Sequence, residues 1–503
     1  MASRFPRPKR RALLRRAALG ALLWAAAGAA SAQQDGSGPD LGLRGAAPAA
    51  DPAAPSDPSA APEPEAPKPR RTPLPPLAPY PGAGRFDQRG GPAGPGAGKI
   101  PSPSTAALPT PPPRKRPKRD ERPFDPLGFQ AWGLRLTPYV EESLGWSSNP
   151  LLLPGSQRPS AFLRTEGGFG LDSDWATSAL HGDFKGGWTN YFADPSANSP
   201  FANGVLDGRW DASRDVKLDG EVRLAVTTLT AGALGAGPNV AFGPTGAPLT
   251  GSYGATLGGD ERFGRLDLAL HGSLDRTVYQ DVTYSNGTTQ NLSADDFDDW
   301  GLRGRATYEV SPAFRPFADV LVDARRYAEG LDEYAYARDS NGVAVRFGAE
   351  VDLARNLTGF VDLGYGARDY DDPRLANLSS PLFDAALVWS ATPLTTVTLK
   401  ATSALTETTI RGASGAAQHA ETLEIAHALR RYLTLTGSLA YVTDAYAGLP
   451  LRDATTTVGL AASYSFNRDA VLKASVSRQC YNSSQVGTNY CATVMSVGLR
   501  LQR

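Results

Sequence analysis

Four histidines (His181, His271, His419 and His427) and two cysteines (Cys480 and Cys491) are the only soft ligands of their kind in this chain. The histidines are too few and too scattered to supply a metal cluster with ligand spacing. One trio invites nucleophilic chemistry, because His271, Ser273 and Asp275 alternate along a single segment and would share one face of a strand. Alternate residues on a strand stand about 7 Å apart, however, too far by themselves to relay a proton. No glycine-rich phosphate loop follows a strand and opens a helix, so nucleotide binding has no signature. Neither catalysis nor a cofactor is expected. The cysteines flank the last long connection of an exported chain, which favours a disulfide between Cys480 and Cys491 over free thiols.

Charged residues recur in mixed-sign groups. Arg164 stands with Glu166, Asp183 with Lys185, Asp207 with Arg209, and Lys217 and Arg223 with Asp219 and Glu221. Arg303 and Arg305 stand near Asp299 and Glu309, Arg325 near Asp323, and Arg346 near Glu350 and Asp352. Neighbouring charges of both signs suit a hydrated wall with cross-strand ion pairs and little gross ion selectivity; a strongly selective channel would carry a ring of one sign.

From about Leu134 onward the chain is a train of segments that alternate apolar and polar residues, the pattern of strands with one greasy and one wet side. Leu134, Leu136, Pro138, Val140, Leu144 and Trp146 fall on one face, with Arg135, Thr137, Tyr139, Glu141 and Ser143 on the other. The same reading sets Val216, Leu218, Val222, Leu224 and Val226 against Lys217, Asp219, Glu221 and Arg223. Segments of roughly ten residues with this alternation are what a transmembrane β-barrel requires.

The ends and totals agree. The chain has 503 residues, with 51 basic and 51 acidic side chains, so no global charge draws it to nucleic acid. Arg4 to Arg16, the apolar stretch Ala17 to Ala30 and the Ala30-Ser31-Ala32 site read as a secretory signal peptide over 1–32, on the Sec route more than the twin-arginine one. Residues 33–125 are so rich in proline and small residues that they read as a disordered periplasmic tail. The basic run Arg114 to Arg119 within it is either a solvated charge cluster or a contact for anionic lipid or polymer.

Over 126–503, tight-turn chemistry near Ser173-Asp174, Ser213 to Asp215, Gly264-Arg265, Ser311-Pro312, Arg355-Asn356, Ala391 to Pro393, Arg430-Arg431 and Asn467 to Asp469 alternates with longer connections. Eight short and nine long connections predict an all-β fold, a single antiparallel transmembrane barrel of about 18 strands (16–18), with both ends on the short-turn side. Closure would leave no sheet edge for lipid to face. Trp146, Trp188, Trp210, Trp300 and Trp389, with Tyr365, Tyr441 and Tyr464, are placed on outward faces as an aromatic girdle. A soluble sandwich or solenoid is the competing reading.

The segments Pro126-Leu127-Gly128, Trp132-Gly133, Leu136 to Tyr139 and Ser147 to Pro150 resemble the opening of the outer-membrane β-barrel porin family of type 2. Leu357 to Val361 with Gly364-Tyr365, and Val388 to Thr395, look like two further shared stretches. The resemblance spans about residues 124–503 and implies a Gram-negative outer-membrane barrel, with some relatives associated with envelope polysaccharide export. Its motifs mark strands and turns, so no site residue carries over. The chain departs from outer-membrane barrels in lacking a terminal aromatic residue, ending Leu499-Arg500-Leu501-Gln502-Arg503.

Two functions follow as expectations. One is a passive, porin-like channel for small hydrophilic solutes or an exported polysaccharide. The other is a structural or adhesive barrel with a plugged lumen whose outer loops bind a partner. Outer-membrane lipid and the barrel-assembly machinery are the expected partners of both, and nucleic acid is not one.

Overall fold

The computed structural model describes residues 124–503 except 156, 157, 174, 230–247, 285, 333, 354, 355 and 409. The signal segment, the proline-rich stretch to residue 123 with its basic run, and most of the connection from Thr228 to Thr250 lie outside the described residues.

Eighteen long strands follow one another. They are β1 (Leu134–Ser147), β2 (Ser160–Ser173), β3 (Ser178–Tyr191), β4 (Ser199–Asp211), β5 (Val216–Thr228) and β6 (Leu249–Phe263). Next come β7 (Leu266–Tyr279), β8 (Phe297–Tyr308), β9 (Phe314–Tyr327), β10 (Ser340–Leu353), β11 (Leu357–Tyr370) and β12 (Leu378–Thr392). The last are β13 (Thr395–Glu407), β14 (Gly415–Arg430), β15 (Leu433–Tyr446), β16 (Arg452–Ser465), β17 (Ala470–Ser483) and β18 (Tyr490–Gln502). Each pairs antiparallel with its neighbour in sequence, and β18 returns to β1 through Val140↔Leu501 and Trp146↔Met495. Every long strand therefore has a partner on both sides, the only sheet arrangement that lipid tolerates. The expected chain reversals coincide with the eight short connections, Ser173, Ala391, Thr392 and Arg430 standing on the strand ends beside them, and both ends of the barrel lie on the short-turn side.

The strands run to 12–16 residues, longer than the ten read from sequence. About 9–11 tilted residues cross the hydrocarbon, so the surplus stands beyond it, where water and the same alternation still support the ladder.

Alternation sets the two faces. Val140, Leu144, Leu163, Val222, Leu257, Leu363 and Leu460 are exposed on the outside, while Glu141, Arg164, Glu166, Glu221 and Arg223 are buried on the inside. That is the inverse of a water-soluble protein and fits a wall bathed in lipid. Trp146, Trp188 and Trp300 sit outward near the long-loop ends of their strands, and Trp210 and Trp389 near the short-turn ends. Tyr464 joins the lower set, packing 5.2 Å from Tyr432 and 5.0 Å from Phe466 between ring centroids. Tyr365 and Tyr441 instead fall in the bodies of β11 and β15, where the ring adds apolar area without marking a rim.

Cys480 and Cys491 are register partners on β17 and β18 and are joined as a disulfide, at the outward face and long-loop end. The sequence separation is 11. A closed loop of that size contributes about 2–3 kcal/mol through the unfolded chain. Cys480→Ser with Cys491→Ser is expected to lower stability by that amount while leaving the barrel able to close, as read by urea unfolding with and without reductant.

The charged inner wall as candidate functional site

Ionic side chains on the inner face pair mostly across strands. Arg303 and Arg305 on β8 both bind Asp319 on β9, at 2.6 and 3.2 Å. Arg325 takes Asp299 at 2.7 Å and also contacts Glu407, whereas Asp323 is bound by Arg368. Arg346 meets Asp384 at 2.9 Å, and Glu350 meets Arg315 at 2.8 Å. The along-strand groupings read from sequence survive in Arg223 with Glu221 at 3.1 Å. The reason is spacing: neighbours across a ladder are about 4.5–5.5 Å apart at Cβ, against nearly 7 Å along a strand.

Several bridges skip a strand by passing over glycine. Gly254 on β6 is the register partner of both Arg223 on β5 and Asp275 on β7, and the guanidinium reaches across it to Asp275 at 2.9 Å. Gly258 stands in the same way between Asp219 and His271, which meet at 3.0 Å. Gly342 stands between Asp323 and Arg368. A Cβ at Gly254 would collide with the Asp275 carboxylate and lie 2.5 Å from the Leu274 carbonyl oxygen. Gly254→Val is thus expected to break the Arg223 bridge and cost about 3 kcal/mol or more, the penalty for leaving a buried charge unpaired. Gly304→Val, where an added Cβ meets nothing, is the control and should change urea stability little.

The wall is uneven around its circumference. In the bodies of β7 to β12 most inward ionic residues are closed off from water, with Arg325 and Asp319 at 0% exposure. Near the short-turn end of β1 to β4 they are open, with side-chain exposures of 48% for Arg135, 63% for His181 and 43% for Arg209. Arg164 and Glu166 are buried inward, the latter accepting from the Tyr139 hydroxyl at 2.6 Å. Asp183 is exposed and Lys185 half-buried on the same face, and Asp352 is half-buried near the short-turn end of β10. Glu309 lies just past the end of β8, at the rim, paired with Arg262; the turn has already begun there, so it is not on the strand wall.

The catalytic trio does not converge. His271 binds Asp219 instead of Ser273, and Asp275 is taken by Arg223. Asp219, Asp260 and His271, from β5, β6 and β7, do bring one potential ligand atom each within 4.8 Å of one another. Counting histidines along the sequence missed this, because the carboxylates come from neighbouring strands. Inner-wall partners also missed were Asp319, Asp362, Arg368, Asp384 and Glu407. Strand parity marks the first four, and the glycines opposite Asp362 and Arg368 are a further signal for those two.

At the long-loop end, connections fold together. Arg338, buried, donates to the carbonyl oxygens of Thr408 at 2.7 Å and Ala413 at 3.0 Å, and to Asp332 at 2.6 Å. Ser414 donates to the Ala376 carbonyl at 2.5 Å. In the 371–377 connection, hydrogen bonds from Arg374, aided by the Ala337 amide, hold the Asp372 carboxyl well below the usual carboxylate range. A carboxylate lowered on folding adds stability above its unfolded pKa and loses it only as pH falls through the folded value. This contact should therefore persist at neutral and mildly acidic pH.

A closed sheet with a lipid-matched exterior and an ionic interior defines a transmembrane β-barrel. Residues 122–503 match the family described as "Putative beta-barrel porin 2", and the chain belongs to it. It is accordingly an outer-membrane β-barrel. No curated protein matches the chain. Among solved structures it is similar to the FrpB iron transporter from Neisseria meningitidis (F5-1 variant), at 8% identity and TM-score 0.41, covering 70% of this chain and 64% of that one. It is similar to the copper transporter OprC, at 12% identity and TM-score 0.40, covering 76% and 81%. It is also similar to opdK from Pseudomonas aeruginosa, at 11% identity and TM-score 0.37, covering 73% and 99%.

Proposed function

We propose that the barrel is a passive, non-enzymatic channel for small hydrophilic solutes or an exported polysaccharide. The observation that carries this reading is the short-turn mouth, where Arg135, Asp172, His181 and Arg209 face water inside a sheet wide enough to enclose an aqueous path. Mixed signs there suit weak ion selectivity. In this reading the chain is exported by the Sec route, loses residues 1–32, and is inserted by the barrel-assembly machinery. Its tail then lies in the periplasm, on the short-turn side where both barrel ends emerge. The purified barrel in a planar bilayer is expected to give stepwise current with similar permeability to small cations and anions. Correctly inserted protein that stays electrically silent would overturn the channel.

Silence would favour a structural or adhesive barrel with a closed lumen. The observation on that side is the packing of long-loop connections around Arg338, which covers part of one mouth.

A further inference from the structure

Most buried inner-wall carboxylates have a guanidinium: Asp275, Asp299, Asp319, Asp323, Glu350, Asp384 and Glu407 all pair with arginine. Asp444 on β15 and Asp453 on β16 break the rule. They are direct register partners on the inner face, only 3% and 5% exposed. Among the described residues no basic side chain pairs with either.

Their surroundings are rich in oxygen. One cross-strand row runs Gln418 (β14), Asp444, Asp453 and Ser483 (β17). The Gln418 amide donates to Asp444 Oδ1 at 2.9 Å. The phenol groups of Tyr446 and Tyr481, from the adjoining rows, lie beside the Asp453 carboxylate. Asp453 Oδ1 is nonetheless buried without a donor.

Two facing carboxylates shut away from water repel each other and lose hydration, so they need a counter-charge or a proton between them. Arginine is missing here, so a shared proton or a bound cation must balance the pair. Paired carboxylate oxygens, one of them without a donor, are the hard ligands that a hard divalent cation takes. We infer that Asp444 and Asp453 form a binding site for a hard divalent cation of the calcium type, set in the wall beneath the 447–451 connection. The ion replaces the missing arginine and ties β14 to β17 at the long-loop end.

Terbium tests this directly, since Tyr446 and Tyr481 lie beside the site and can sensitise its emission. Full-length mature protein in a neutral detergent is titrated with Tb3+, then with Ca2+ as competitor, with unfolding temperature followed in parallel. Expected are saturable tyrosine-sensitised emission displaced by Ca2+, and a Ca2+-dependent rise in unfolding temperature. Asp444→Asn and Asp453→Asn should each weaken binding at least tenfold, while Asp219→Asn leaves it intact. Wild-type protein with no saturable emission overturns the site whether or not the variants fold. So does emission that survives both substitutions, or wild-type protein indifferent to Ca2+ in which Asp453→Asn raises the unfolding temperature, the mark of a shared proton.

Discussion

Arg325→Ala is expected to lower the unfolding free energy of the barrel by about 3–5 kcal/mol, the cost typical of removing one partner from a buried ionic group. Arg325 is fully buried, with Asp299 at 2.7 Å, Glu407 in contact and the Phe297 ring 5.1 Å from its guanidinium carbon. Its loss strands two carboxylates, of which only Glu407 keeps a donor, the Tyr327 hydroxyl at 2.5 Å. Urea titration in lipid vesicles, read by the gel-mobility difference between folded and unfolded barrel, measures the change. Arg325→Leu combined with Asp299→Asn and Glu407→Gln should recover most of the loss, because no charge is then left unpaired. If the single and triple variants are equally unstable, lost packing and not lost pairing is responsible.

The second large effect tests the two-faced wall itself. Leu363 lies mid-strand on β11, 63% exposed and flanked in register by Phe347 and Phe383. Leu363→Arg places a guanidinium near the hydrocarbon midplane and should cost about 2–4 kcal/mol. Asp183→Arg, on the opposite face and open to the lumen, should cost well under about 1 kcal/mol, in the range of exposed charge changes. Refolding yield into vesicles separates the two. Equal tolerance at both positions would mean that the exposed apolar rows do not face lipid.

The fold was legible because one simple period carries it. Val216 to Val226 alternates so strictly that the wet and greasy faces are assigned before any contact is known, and turn residues such as Gly264-Arg265 fix the reversals. The lumen chemistry was half legible. Parity places Arg303, Arg305 and Arg346 inward, but the partner of each depends on register and on the room left by an intervening glycine, and neither is written locally. The same limit hid the meeting of Asp219 with His271 and the facing of Asp444 with Asp453. The docking of Arg338 on the 408–414 connection was invisible, since irregular loops carry no period to read.

The glycine-spanned bridges bear on how such a wall is assembled. Arg223 with Asp275, and Asp323 with Arg368, each span three consecutive strands, so each is completed as soon as the next hairpin arrives. In a sheet that grows hairpin by hairpin from its N-terminal end, these inner-wall charges would be neutralised in chain order. The contact of Arg325 with Glu407 joins strands four apart and must wait for a later hairpin. Insertion by successive hairpins would therefore proceed as a zipper with two late clasps, Arg325 with Glu407 and, at closure, Lys473 with Glu141.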